Sequence, residues 1–151
     1  MKPLLQSIDH INIVVKDLVK VKDFFVSLGF QVKDRSRLHG EWISKTVGLE
    51  EVDAEYVKLT LPGDTTSIEL LRFDNPPVNE ISNSDKANTQ GLRHVAFRVV
   101  DIGKTVAFLK EKGVHPVSPI QKYSAADKML VYFQGPEGIL LELAQYGEKK
   151  T

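Results

Sequence analysis

The sequence predicts an α+β fold in which one βαβββ module occurs twice, and three observations carry that expectation. First, Ile8 to Gly29, IDHINIVVKDLVKVKDFFVSLG, aligns without a gap over 22 positions with Leu92 to Gly113, LRHVAFRVVDIGKTVAFLKEKG, at an offset of 84. His10 then falls on His94, Asp17 on Asp101, Phe24 on Phe108 and Gly29 on Gly113. Second, each copy closes on a glutamate inside an apolar strand, Ile68-Glu69-Leu70 and Leu141-Glu142-Leu143. Third, each copy moves from a period of two to a period near 3.6 and back, as strand, helix and strand require. Such self-similarity marks a duplicated structural unit. The modules are expected at about 7–73 and 91–146, joined by a linker at 74–90 within a single domain of 1–151.

The elements follow in order. Ile8 to Val15 alternates, with Ile11, Ile13 and Val15 on one face and His10, Asn12 and Val14 on the other. Asp17 can cap the next helix by accepting from free N–H groups of its first turn. Leu18, Val21, Phe24, Phe25 and Leu28 make one apolar stripe, and Gly29 ends the helix. Phe30 to Asp34 is expected as a short strand, and Arg35 to Asp53 as a long polar loop with a helical turn near Trp42 to Val47. Ala54–Leu61 and Thr66–Phe73 read as a hairpin across Pro62-Gly63-Asp64. The linker is rich in proline and asparagine. In the second copy the expected strands are Leu92–Val99, Pro116–Gln121, Lys128–Gln134 and Ile139–Tyr146, with a helix over Ile102–Lys112. The last two strands join through Gly135-Pro136-Glu137-Gly138. The tail GEKKT is expected to fray. Glu142 lies 73 positions after Glu69, so the first copy holds 11 extra residues, assigned to the Arg35–Asp53 loop.

Composition narrows the function. With 20 basic and 20 acidic residues the net charge is zero, which argues against nucleic acid or an anionic membrane as the main partner. There is no cysteine, so disulfides, thiolate nucleophiles and cysteine-ligated metals are excluded. MKPLLQSID lacks the apolar core of a signal peptide, and no apolar run reaches membrane-spanning length, so a cytoplasmic location is expected.

Four residues stand at matched places: His10, Glu69, His94 and Glu142. Taken singly, a strand histidine is ordinarily half-exposed and a strand glutamate faces solvent. As a repeated set they point to a metal site. Glu69 and Glu142 sit in apolar runs, where an unpartnered carboxylate is costly. Two imidazoles and two carboxylates on concave sheets suit Zn, Ni, Co, Mn or Fe(II), and suit Ca poorly. Arg37, Trp42, Phe73 and Tyr123 are candidates for substrate contact, while His39 and His115 have no repeat partner.

The doubled plan resembles the vicinal oxygen chelate superfamily, with I-D-H-I near the N-terminus, L-R-H-V-A-F opening the second half, and GPEGILLEL at 135–143. That family includes glyoxalase I, methylmalonyl-CoA epimerase, extradiol dioxygenases, and fosfomycin and bleomycin resistance proteins. The likeness covers roughly residues 7–146. It implies that each βαβββ module makes half of a curved mixed sheet, a cup with one divalent metal ion inside. The order His10, Glu69, His94, Glu142 is similar to the ligand set of bacterial glyoxalase I. Dioxygenases and fosfomycin-resistance enzymes place a histidine where Glu69 stands.

The resemblance implies a metal-dependent lyase or isomerase of the lactoylglutathione lyase type. It would act at a carbon next to a carbonyl through a metal-bound enediolate, with Glu142 as main base and Glu69 as the opposing carboxylate. The family's glutathione-holding arginine and asparagine are replaced here by Val14 and Phe73, so a different small-molecule substrate is expected. The alternatives are a metal-free sequestering protein of the bleomycin-resistance type and, less favoured, an extradiol dioxygenase. A homodimer is expected by analogy with the family.

Overall fold

The computed structural model describes residues 3–147. The frayed tail expected at the C-terminus therefore lies, beyond Gly147, outside the described residues. The chain divides into two compact units, 1–80 and 81–151. The fold is α+β, with one four-stranded mixed sheet in each unit.

In the first unit, β1 (His10–Val14) leads into α1 (Leu18–Ser27), then β2 (Gln31–His39), α2 (Glu41–Val47), β3 (Asp53–Thr60) and β4 (Ser67–Asn75). The strand order is β1-β4-β3-β2, with β1 parallel to β4 and the other pairs antiparallel. Leu18, Val21 and Phe25 are buried, and α1 lies against β3 and β4, whose Val57, Leu59, Ile68 and Leu70 are also buried. The Phe25 and Phe30 rings meet edge to face at 5.4 Å. Replacing Phe25 by alanine would remove a completely buried ring, worth about 3–5 kcal/mol.

In the second unit, β5 (His94–Arg98), α3 (Ile102–Glu111), β6 (Gln121–Tyr123), β7 (Lys128–Gln134) and β8 (Leu140–Tyr146) repeat the plan in the order β5-β8-β7-β6. Ile102, Val106 and Leu109 of α3 are buried, as are Val131, Phe133, Leu141 and Leu143 of the sheet. The segment before β5 is held to this unit. Arg93 donates to the Ser84 carbonyl at 2.8 Å, and Gln134 reaches Asp85.

The two long helices are bounded by the same chemistry. Asp17 accepts from the Lys20 N–H and Asp101 from the Lys104 N–H, each at 3.0 Å. At the other ends, Phe30 N–H reaches the Phe25 carbonyl while Gly29 N–H reaches that of Val26. Val114 with Leu109, and Gly113 with Lys110, do the same. This is a Schellman closure, which needs a left-handed residue after the helix. Gly29 and Gly113 supply it at φ +109° and +79°.

Two expectations are corrected. Residues 35–53 are not one long loop: β2 continues to His39, and the helical turn expected near Trp42–Val47 is a helix, Glu41–Val47, with a single buried residue, Ile43. The strand was hidden because QVKDRSRLH is polar on both faces. In the second unit, Pro116–Gln121 is not a strand. Only an isolated bridge from Pro116 to Phe133 forms there, and the strand begins at Gln121. Pro116 and Pro119 lack the N–H groups a ladder would need. No helix among the described residues is long and apolar enough to cross a membrane.

Candidate metal centre

Strand register decides which side chains share a face. In the first unit His10 lies opposite Ser67, and Asn12 opposite Glu69. His10, Asn12, Glu69, Leu71 and Phe73 therefore share the face opposite to the one that α1 covers. In the second unit His94 lies opposite Leu140, and Ala96 opposite Glu142, the same relation two residues out of step. A short diagonal thus brings histidine to glutamate in both. His10 Nε2 stands 3.2 Å from Glu69 Oε2, and His94 Nε2 stands 3.1 Å from Glu142 Oε2.

These separations can be tested against a metal. Bonds of about 2.0–2.2 Å from imidazole nitrogen and carboxylate oxygen put neighbouring donors roughly 3–3.4 Å apart. Both half-sites fit, and their donors are those of the borderline divalent ions. Each unit by itself supplies two donors. Among the described residues no group of three or more His, Cys, Asp or Glu is gathered to hold an ion.

The surroundings of the two pairs differ. Asp9 Oδ2 accepts from His10 Nδ1 at 2.7 Å, which leaves Nε2 turned to Glu69, and the His10 ring holds the Asp9 carboxyl below its ordinary range. The residue before His94 is Arg93, which is engaged elsewhere. Glu142 is 4% exposed, one of two buried polar residues among the described residues, and its Oε1 is closed off from solvent. The Lys128 ammonium nevertheless stands 2.9 Å from that Oε1 as an ion pair, and the carboxylate holds it above the usual lysine range. Tyr132, directly opposite Glu142, lies with its ring 4.7 Å from that of His94.

Lys128 was not singled out from the sequence, although a signal was present. The turn at 135–138 fixes the β7–β8 register, and counting back from Glu142 places Tyr132, Leu130 and Lys128 on its face.

The proposed substrate contacts fall in three places. Arg37 points to the face that carries Val57 and Leu70, away from Glu69. Its guanidinium is taken up by Asp53, Asp74 and Glu55, with Asp74 at 2.6 Å. Phe73 is on the Glu69 face but packs, with Leu38 and Leu71, against Ile43, Val52 and Ala54. It supports α2. Trp42, 60% exposed, stands on the outside of that helix. Tyr123 is exposed and lies opposite Lys128, on the Glu142 face. His39 and His115 are exposed.

The comparisons with known proteins agree with this architecture. The family model described as "Glyoxalase/Bleomycin resistance protein/Dioxygenase superfamily" matches residues 7–143. The chain is 36% identical to the Bacillus subtilis protein YwkD, over 93% of this chain and 97% of that one. It is 29% identical to mitochondrial methylmalonyl-CoA epimerase of Mus musculus, over 93% and 74% of the two chains. A solved glyoxalase family protein from Bacillus cereus superposes with a TM-score of 0.89 at 32% identity, covering 97% and 98%. An antibiotic binding protein, TnmS3 from a Streptomyces species, shares the fold at 20% identity and a TM-score of 0.66, covering 97% and 100%. By sequence, strand plan and relatives alike, the chain belongs to the Glyoxalase/Bleomycin resistance protein/Dioxygenase superfamily.

Proposed function

We propose that the chain is a metal-dependent isomerase or lyase that removes and returns a proton at a carbon next to a carbonyl. His10, Glu69, His94 and Glu142 are its metal ligands. The observation that carries this reading is the matched His–Glu pairing, 3.2 Å in one module and 3.1 Å in the other. A divalent ion would supply Lewis acidity to the carbonyl oxygens and so acidify the adjacent C–H. The chain's own residues do the rest. His10 and His94 hold position through Nε2, Glu69 balances charge, and Glu142 accepts the proton. Its side chain is buried, and its Oε2 stands 3.1 Å from His94 Nε2, which supports that role. The family commonly uses a divalent metal, and its relatives here include an epimerase, which supports isomerase-type chemistry.

Elemental analysis of the purified protein, followed by chelation and reloading with Zn, Ni, Co, Mn or Fe(II), tests the proposal. The assay panel is hemithioacetals, acyl-CoA epimers and catechols. The expected result is bound metal and turnover of a carbonyl-adjacent C–H that stops on chelation. Full activity after exhaustive chelation would sink the proposal. A metal-free protein that only binds its ligand would establish sequestration instead, and oxygen uptake with catechols would establish the dioxygenase.

A further inference from the structure

We infer that Lys128 is the positioning residue of the second half-site, engaging Glu142 Oε1 so that Oε2 alone is offered beside His94 Nε2. This rests on the metal reading above and assigns a residue to it that the repeat does not contain. The geometry is direct. The two carboxylate oxygens of a nearly inaccessible glutamate face two different groups, Nε2 of His94 at 3.1 Å and Nζ of Lys128 at 2.9 Å. Lys128 is not an ordinary surface lysine, since its side chain is only 19% exposed. Its ammonium also lies 5.6 Å from the centre of the Tyr146 ring, a second contact that keeps it over the sheet.

Register shows that the matching position in the first module holds no lysine. Lys128 stands four positions before Tyr132, the residue opposite Glu142. Four positions before Lys58, the residue opposite Glu69, stands Ala54. Ala54 is 1% exposed and packed with Ile43 of α2, so no cation can reach Glu69 from there. Glu69 meets His10 Nε2 through Oε2 at 3.2 Å, whereas each oxygen of Glu142 faces a separate partner. A carboxylate so held is a one-oxygen ligand, and it has a charged group to stay with when its other oxygen takes up a proton.

The test is metal binding by the full chain, with turnover measured separately. Lys128→Met removes the charge and the contact, and Lys128→Gln removes the charge but keeps an N–H donor for the buried oxygen. Lys128→Arg keeps both. Loss of the positive charge beside Glu142 should tighten Co(II) binding by roughly ten-fold or more in both neutral variants. The visible absorption of the Co(II) protein should weaken in Lys128→Met, as Oε1 joins the coordination, and keep its wild-type form in Lys128→Gln. Lys128→Arg should restore both readings. Wild-type affinity and spectrum in Lys128→Met and Lys128→Gln together would overturn the assignment while leaving the metal reading intact. A wild-type protein that takes up none of Co(II), Zn(II) or Ni(II) would defeat the metal reading, and the assignment with it.

Discussion

The first and second modules hold the same pair of groups in opposite ways. Around His10 and Glu69 the histidine is the tethered partner, fixed by Asp9, while the glutamate side chain is 22% exposed. Around His94 and Glu142 the glutamate is tethered, by Lys128, and is buried to 5%. The duplicated scaffold thus keeps the His–Glu pair in both modules and fixes a different member of it in each. In the function proposed above, the first half would hold the ion through an imidazole that Asp9 orients, and the second would present a carboxylate that Lys128 orients.

The sharpest way to break that division is to neutralise the two glutamates in turn. Glu142→Gln should lower turnover by about 10²–10⁴-fold, the usual span for a lost general base. Glu69→Gln, measured at saturating metal, should lose less, and equal losses would remove the distinction. Next in size is the histidine tether. Asp9→Asn should weaken metal binding by about 10–100-fold, as loss of an outer partner of a ligating histidine does. Arg93→Gln, at the matching place, should change it far less. Titration with a chromophoric chelator reads both.

Much of the fold is legible because local rules agree with global ones. β7 runs from Lys128 to Gln134, where its pattern ends at a Gly-Pro turn. The long helices begin at Asp17 and Asp101 and stop before Gly29 and Gly113, where cap chemistry says they must. The misread parts depend on partners distant in sequence. β2 looks like a loop because Arg35 and Arg37 find their acids on other strands, 16 to 37 residues away. Lys128 looks like a wet-face lysine until Glu142 is brought beside it. The histidines and glutamates were visible because they repeat, and their tethers were not, because Asp9 and Lys128 do not.

Smaller effects check that the modules remain equal where they should. Asp17→Ala and Asp101→Ala each remove one side-chain cap of the same geometry and should each cost about 1 kcal/mol. A clear inequality in thermal unfolding would mean that one helix matters more to its module than the hydrogen bonds show.

The last prediction concerns the ion-pair group of the first module, where Arg35, Arg37 and Arg72 meet Asp53, Glu55 and Asp74. Arg72 and then Arg37 hold the Asp74 carboxyl below its ordinary 3.8. A depressed carboxyl contributes stability above its unfolded value and loses it as pH falls through the lowered folded one. Asp74→Asn should therefore lower the melting temperature slightly at pH 7 and 5, by an amount that shrinks as the pH falls below the ordinary carboxyl range. The side chain is about a third exposed, so the difference should stay under roughly 1 kcal/mol.

α2 leaves the sheet at the end of β2 and returns at the start of β3. The pairing of β1 with β4, which sets His10 beside Glu69, does not pass through it. The helix is therefore a cassette on a frame, and residues 40–52 can lengthen, shorten or change character while the ladder beneath stays in step. A change within residues 40–52 can therefore alter the cover on the Glu69 face without shifting the strands that carry His10 and Glu69.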